Sequence, residues 1–305
     1  MIDRTVTTRI DPEKCIGCEL CVKVCPSGTI SMQDGKAQVT GDRSLQCGHC
    51  AAVCPVDAVR VDAINEQSLS FNSFDLKNEW LPHGEFETGR LVQLMASRRS
   101  CRNFTDQAVD RSILEDLIKI GTTAPSATNC QNWTFTVFPD RAAVDEFARR
   151  IGAFFKKLNR MAERTLYRKL LKMFGKPELD NYYQEYYPSV TEGLQEWEQH
   201  GRDRLFHGAA AAIVVASRPG GSCPLEDAML ATQNILLAAH SMGLGSCLIG
   251  FAVEAIRNDP GIKQFIKIDA EETVYAVIAL GYPDETYERL TGRKRFELRY
   301  YKAYS

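Results

Sequence analysis

A chain of 305 residues, 44% apolar and 25% charged, is long enough to bury one or two sizeable cores and too apolar to be disordered. Its formal charge of -2 excludes a global attraction to nucleic acid or to an anionic membrane, and no apolar run reaches the ~18 residues of a spanning helix. The opening "MIDRTVTTRIDPEK" lacks the apolar stretch of a signal peptide, so export is not expected.

Seven of the eleven cysteines fall between Cys15 and Cys54, at spacings that suit a metal site better than a disulfide framework. That usage predicts a reducing, cytoplasmic compartment. "CIGCELCVKVCP" gives Cys15, Cys18, Cys21, Cys25 and Pro26, with two, two and three residues between thiols, so that three thiolates can cap one cluster. "RSLQCGHCAAVCP" repeats the run as Cys47, Cys50, Cys54 and Pro55, with Ser44 where the first thiolate belongs. Cys54 follows Cys25 by 29 residues, and "CPSGTISM" and "CPVDAVRV" share one form, so this segment reads as two copies of one unit. So few residues cannot build an ordinary apolar core, and inorganic clusters would supply the cross-links. The other four cysteines, Cys101, Cys130, Cys223 and Cys247, sit among apolar or small neighbours and read as buried, inert thiols.

Residues 63–87 lack sustained periodicity and contain Pro82 and Gly84, which predicts a linker. Beyond it helices and strands alternate. "TGRLVQLMASRR" predicts an apolar-faced helix capped by Thr88, and "VDRSILEDLIKIG" one capped by Asp110 and stopped at Gly121. "WTFTVFPD" alternates as a half-buried strand, whereas "AAAAIVVAS" and "TVYAVIALG" are the continuous apolar runs of central strands. Between about 145 and 205 lies a helical, charged insertion, basic first (Lys156, Lys157, Arg160, Arg164, Arg168, Lys169, Lys172) and acidic later, read as a solvated face. "PLEDAMLATQNILLAAHSMG" is apolar on nearly every side, so a large core or a second subunit must cover it.

Over residues 8–62 the chain resembles bacterial two-cluster ferredoxins, in which the last cysteine of each run crosses to the other cluster. The resemblance implies that Cys15, Cys18, Cys21 and Cys54 hold a [4Fe-4S] cluster. Cys25, Cys47 and Cys50 would hold the other, [4Fe-4S] or [3Fe-4S], whose fourth corner faces Ser44. A serine oxygen is harder and more basic than a thiolate, so that iron is held by alkoxide, held by water or lost, and Ser44 either closes the site or ligates nothing.

Four later pieces need one explanation. "SRRSCRNF" gathers Arg98, Arg99 and Arg102 around Ser100, which suits a phosphate or equally the carbonyl end of a helix. "APSATNCQNW" offers amide and hydroxyl partners on a loop, "GLGSCLIG" is a glycine turn after the long helix, and "TGRKRF" adds a basic cluster. In this order they resemble the nitroreductase family from about Thr88 to Arg295, and the whole chain resembles its subgroup with an N-terminal ferredoxin. The implied fold class is α+β, with a dicluster ferredoxin domain at 1–62, a linker at 63–87 and an α/β nitroreductase-like FMN domain at 88–305, homodimeric. The resemblance implies that Arg98, Arg99, Ser100 and Arg102 hold FMN from one subunit, with Arg293 and Lys294. Pro125, Ser126, Ala127 and Asn129 would reach it from the other, and Leu248, Ile249 and Gly250 would lie along the isoalloxazine. "GRKRF" fits Lys294 or Arg295 as the inward residue.

No Ser-His-Asp arrangement, paired carboxylates or phosphate loop competes for the chemistry, and His49, His200, His207 and His240 lack sequence partners. No protein side chain is therefore assigned as catalytic; FMN would carry the reaction. The reading is an anaerobic, cytoplasmic oxidoreductase in which iron–sulfur clusters take electrons from ferredoxin or flavodoxin and FMN reduces a small electron-poor molecule such as a nitroaromatic. Reductive dehalogenation, biosynthetic dehydrogenation and non-enzymatic electron transfer or redox sensing are the alternatives.

Overall fold

The computed structural model describes residues 3–301. Its N-terminal part runs β1 (Thr8–Ile10), α1 (Leu20–Val24), β2 (Ile30–Gln33), β3 (Lys36–Val39), α2 (His49–Ala52) and β4 (Val59–Val61). β1 pairs antiparallel with β4, and β2 with β3, so each two-stranded sheet is a counterpart of the other. The repeat extends to single dihedrals. Gly17 (φ 72) and Glu19 (φ 63) flank Cys18, and Gln46 (φ 53) and Gly48 (φ 74) flank Cys47 in the same left-handed conformation. These turns aim successive thiols to one side. At Gly17 a Cβ would overlap the carbonyl oxygen of Gly35, so no side chain fits there. The buried core is small, chiefly Ile30, Ala37, Ala58, Val59 and Val61 with three thiols.

Residues 63–87 hold one 3-10 turn, Glu66–Leu69, and otherwise follow an irregular path. The path is pinned just before its midpoint. The buried carboxylate of Asp116 accepts from the backbone N–H groups of Asn72 and Ser73 and from Ser73 Oγ, at 2.7–3.0 Å.

The remainder runs α3 (Thr88–Ser97), α4 (Arg111–Gly121), β5 (Trp133–Phe138), α5 (Arg141–Ala162), α6 (Thr165–Met173), α7 (Glu178–Glu185), α8 (Tyr187–His200), β6 (Ala211–Ser217), α9 (Pro224–Ser241), β7 (Gly245–Leu248), α10 (Gly250–Asn258), α11 (Pro260–Phe265) and β8 (Thr273–Gly281). The sheet order is β5-β6-β8-β7, antiparallel throughout, with the two continuous apolar runs as its inner strands. Both faces of the sheet are covered, which is why these strands do not alternate. Leu114 and Leu117 of α4 with Ala228 and Ile235 of α9 cover one face; Phe147 and Ile151 of α5 with Ala252 and Ile256 of α10 cover the other.

Local signals were less faithful. Glu87, not Thr88, is the N-cap of α3, and Asp110 caps α4 without a side-chain bond. Gly121 is the last residue of α4, and a Cβ there would meet Ile235 Cγ1 at 2.9 Å, so close helix packing requires this glycine. α9 buries Ala228, Ala231, Ile235 and Ala238 but exposes Leu225, Met229 and Leu230, while α3 exposes Leu91, Val92 and Met95. The charged insertion is less solvated than its composition suggests. Arg168 pairs with buried Asp180 at 2.9 Å, Lys172 with the same carboxylate at 2.9 Å, and Lys156 with Glu198, so its basic and acidic halves close on each other. Its inner face carries Phe154, Phe155, Leu158, Tyr182, Leu194 and Trp197 onto the core. Among the described residues, no helix is long and apolar enough to cross a membrane.

Candidate functional site

The thiols gather in two crossed sets. Cys15, Cys18, Cys21 and Cys54 line one small cavity, and Cys25, Cys47, Cys50 and Ser44 line another. Among the described residues no three His, Cys, Asp or Glu side chains converge as a single ion would need; the sulfurs ring a space instead, as a polynuclear cluster requires. Backbone donors point at them. Thr29 N–H donates to Cys25 Sγ at 3.4 Å, and its counterpart Ala58 N–H to Cys54 Sγ at 3.2 Å. The N–H groups of Ala37 and Gly17 hold the Cys15 thiol below its ordinary range. Burial works against ionisation of Cys25, yet the hydrogen bonds from Thr29 outweigh it and keep that thiol low too. Burial raises Cys21 and Cys50. These donors favour thiolate, the form that binds iron.

Ser44 stands where Cys15 stands in the first unit. Both are buried, and Ser44 Oγ accepts the N–H of Gln46 at 3.0 Å, two residues on, as Cys15 receives that of Gly17. The hydroxyl is therefore presented to the second cavity beside Cys25, Cys47 and Cys50.

A second set of groups meets along β7. Ser100 bridges Ser246, and Cys101 N–H donates to Ser246 O at 3.0 Å, which lays the "SRRSCR" segment beside this strand. Arg98 and Arg99 line a groove of about 430 Å³ with His240, Gly245 and Ser246. Ser246 Oγ is buried there without a partner among the described residues, while Arg99 donates to Thr291 Oγ1 of the C-terminal arm. Arg293 and Lys294 are exposed just beyond Thr291. Two guanidinium groups and an unsatisfied hydroxyl fit an oxyanion such as a flavin phosphate. Arg102 turns into a larger cavity of about 1240 Å³ with Leu248, Ile249 and Gly250, the last at the N-terminus of α10.

Helical insertion and α10 together wall that larger cavity. Phe155, Tyr182, Tyr186 and Phe251 form an edge-to-face and stacked aromatic cluster, and Lys157, Lys176, Arg204 and His207 stand around it with Glu178 and Glu254. Tyr182 donates to Asn159 Oδ1 at 2.6 Å, and burial holds its phenol protonated far above the usual range. Burial likewise lowers His207, which is neutral at pH 7. Lys157 and His207 stand out in the sequence only as part of a charged face and as a histidine without a partner, and the aromatic members of the wall were missed. The aromatic run "NYYQEYYPS" was the available signal.

Pro125, Ser126, Ala127 and Asn129 are not brought to the arginines within one chain. Ala127 N–H donates to Asp227 Oδ1 at 2.8 Å, at the first turn of α9, whereas the arginine groove lies at His240 in its last turn. Asn129 faces the iron–sulfur unit: its amide donates to the carbonyls of Leu45 (3.0 Å) and Gln46 (3.2 Å), and Arg4 donates to Thr128 O at 3.0 Å. Of the scattered cysteines, Cys101 and Cys247 are buried as expected, whereas Cys130 and Cys223 are only half-buried. Burial pushes Cys101 up to about 11 and also raises Cys247 and Cys130, whose thiol donates to Asp227.

Comparison with known proteins decides the family. The nitroreductase family matches residues 95–282, well over half of the chain. This chain belongs to the nitroreductase family. It is an FMN-dependent oxidoreductase, and residues 14–58 match the 4Fe-4S dicluster domain. An Archaeoglobus fulgidus protein described as an NADH dehydrogenase/NAD(P)H nitroreductase is 25% identical over 210 residues, covering 67% of this chain and 92% of that one. A 4-nitrobenzoate reductase of a Nocardioides species is 26% identical over 208 residues, covering 63% and 79%. Among solved structures, an FMN-bound nitroreductase of Bacteroides fragilis aligns with a TM-score of 0.49 and 19% identity over 67% of this chain and 94% of that one. The nitroreductase family and the dicluster domain thus account for the two resemblances in the sequence, and the solved relative carries no further argument.

Proposed function

We propose that this nitroreductase-family protein takes single electrons from an external ferredoxin or flavodoxin and uses them in pairs to reduce a small, electron-poor aromatic such as a nitroaromatic. Bound iron–sulfur clusters supply one-electron relay and bound FMN supplies two-electron transfer to the substrate. The observation that carries the reading is the shared cavity in which Arg102 and Leu248–Gly250 face the aromatic wall of Phe155, Tyr182, Tyr186 and Phe251. Its volume of about 1240 Å³ exceeds an ordinary small-ligand pocket and would leave room for a small substrate beside the cofactor.

The chain's own groups divide the work. Arg98, Arg99 and Ser100, joined by Arg293 and Lys294, hold the phosphate and ribityl end; Arg102 and Leu248, Ile249 and Gly250 align the ring. Pro125, Ser126, Ala127 and Asn129 close the site from a second copy, and the exposed Leu225, Met229 and Leu230 of α9 with Leu91 and Val92 of α3 supply a homodimer face. Cys15, Cys18, Cys21 and Cys54 hold one cluster. Cys25, Cys47 and Cys50 hold the other, with Ser44 Oγ as its fourth ligand, since it repeats the setting of Cys15. The functional boundaries are a ferredoxin unit at 1–62, a linker at 63–87 and the flavin domain at 88–305.

The test is anaerobic reduction of holoprotein by reduced ferredoxin, NADH and NADPH, followed by addition of nitroaromatics, halogenated phenols and quinones. Bleached flavin should be reoxidised stoichiometrically by nitroaromatics after ferredoxin reduction. Reoxidation by none of the organic oxidants would remove the enzymatic reading.

A further inference from the structure

We infer that the iron–sulfur unit of one chain delivers electrons to the flavin gripped by the arginine cluster of the other chain, with the Ser44 pocket as its outlet. The inference rests on the cofactor assignment under Proposed function and adds the direction and the subunit.

The outlet follows from contacts. Leu45 and Gln46, whose carbonyls accept the Asn129 amide, belong to the wall of the Ser44, Cys25, Cys47 and Cys50 cavity. Arg4 adds the third bond, to Thr128 O. The backbone is held in unusual conformations on both sides of this junction, with Gln46, Thr128, Asn129 and Gln131 all at φ between 46 and 56. Asn129 and Gln46 are thus fixed in the orientation that makes the contact rather than swinging freely. The other cavity turns outward: Ile16 is 62% exposed, and Cys18 and Leu20 beside it are exposed too.

The choice of subunit follows from two separations. Asp227, which holds Ala127, and His240, which lines the arginine groove, are thirteen residues apart on α9, or ~20 Å along the helix axis. The 125–131 loop leads into β5 at one edge of the sheet, whereas Ser100 lies against β7 at the other edge, about 14 Å away across three strand spacings. These offsets keep the loop away from the arginine groove of its own chain. With the loop assigned under Proposed function to the flavin of a second copy, the iron–sulfur unit that it touches lies next to the flavin held by the other chain's arginines. For each substrate reduced by two electrons, two ferredoxin-class carriers each lose one electron, the pair travels through this outlet, and two protons come from solvent.

Mixed dimers test the subunit directly. One chain, carrying Cys47→Ala and Cys50→Ala, lacks the outlet cluster but keeps its arginines; the other, carrying Arg98→Ala and Arg99→Ala, keeps its clusters but loses its grip on flavin. Two different affinity tags isolate the hybrid, and flavin and iron are counted before reduced ferredoxin is added. Delivery between chains leaves one flavin per hybrid, and ferredoxin bleaches it. Delivery within a chain leaves that flavin oxidised, which would overturn the proposal. Flavin retained by the Arg98→Ala, Arg99→Ala homodimer would instead remove the cofactor assignment, and the proposal with it. Arg4→Ala is an independent arm that touches no cofactor: cluster bleaching should keep its wild-type rate while flavin bleaching slows severalfold, and equal rates for both would contradict an outlet at this junction.

Discussion

Ser44 Oγ accepts the N–H two residues on, as the Cys15 thiol does in the first unit, and that makes its substitution informative. Mild oxidation should produce a three-iron EPR signal, which Ser44→Cys should suppress by restoring a soft fourth ligand and Ser44→Ala should strengthen. Identical spectra from both variants would remove Ser44 from the ligand set. For the arginines, Arg98→Ala or Arg99→Ala should weaken flavin retention by about 1.5–3 kcal/mol, the value of one charge-assisted bond, measured by flavin dialysis with iron content unchanged. His207 gives a pH dependence. Burial lowers it, with Arg102 and Arg204 adding to the effect and Asp203 opposing it, so the unfolded chain takes up a proton that the folded one resists. Folding stability should fall as pH drops through the ordinary histidine range, and His207→Gln should flatten the melting temperature against pH there. The two crossed sets of thiols were legible because cluster geometry dictates such spacing. The Asn129 contact was not, because nothing near position 129 in sequence announces a partner at 45 and 46.

α5 to α8 form an element whose purpose composition concealed. The alternation of basic and acidic blocks looks like solvated charge, but buried Asp180 binds buried Arg168 and the more exposed Lys172, and Arg168 lies over the Tyr183 ring at 3.6 Å. Asp180→Ala leaves Arg168 buried without its carboxylate, so α6 and α7 should loosen and be cleaved earlier by limited proteolysis, with flavin retained. Protection equal to wild type would mean that the apolar face alone holds the cap. The cavity wall was hidden because Phe155, Tyr182 and Phe251 come from three helices far apart in sequence, whereas "AAAAIVVAS" and "TVYAVIALG" showed in themselves that both their faces are covered. α9 lay between these cases. Its apolar circumference was plain, but only the fold shows that Leu225, Met229 and Leu230 are the uncovered part. Leu230→Glu should give a monomer by sedimentation that has lost its FMN, and a flavin-loaded monomer would show that one chain completes the site.

At the scale of the molecule, two small cluster units and a covered antiparallel sheet are joined by an irregular segment pinned at Asp116 and by a contact at Asn129. Family and dicluster domain could be read from motif order, since each motif sits at a turn or helix end that its chemistry demands. The path between them could not, because it depends on tertiary contacts among residues without distinctive spacing. The measurement that tests the account most directly is rapid-mixing absorbance of the anaerobic holoprotein against reduced ferredoxin. The account predicts that cluster absorbance bleaches first and flavin follows, and that Cys47→Ala with Cys50→Ala abolishes the flavin phase while leaving bound FMN in place. Flavin that bleaches at the same rate in that variant, or before the clusters in the wild type, would contradict it.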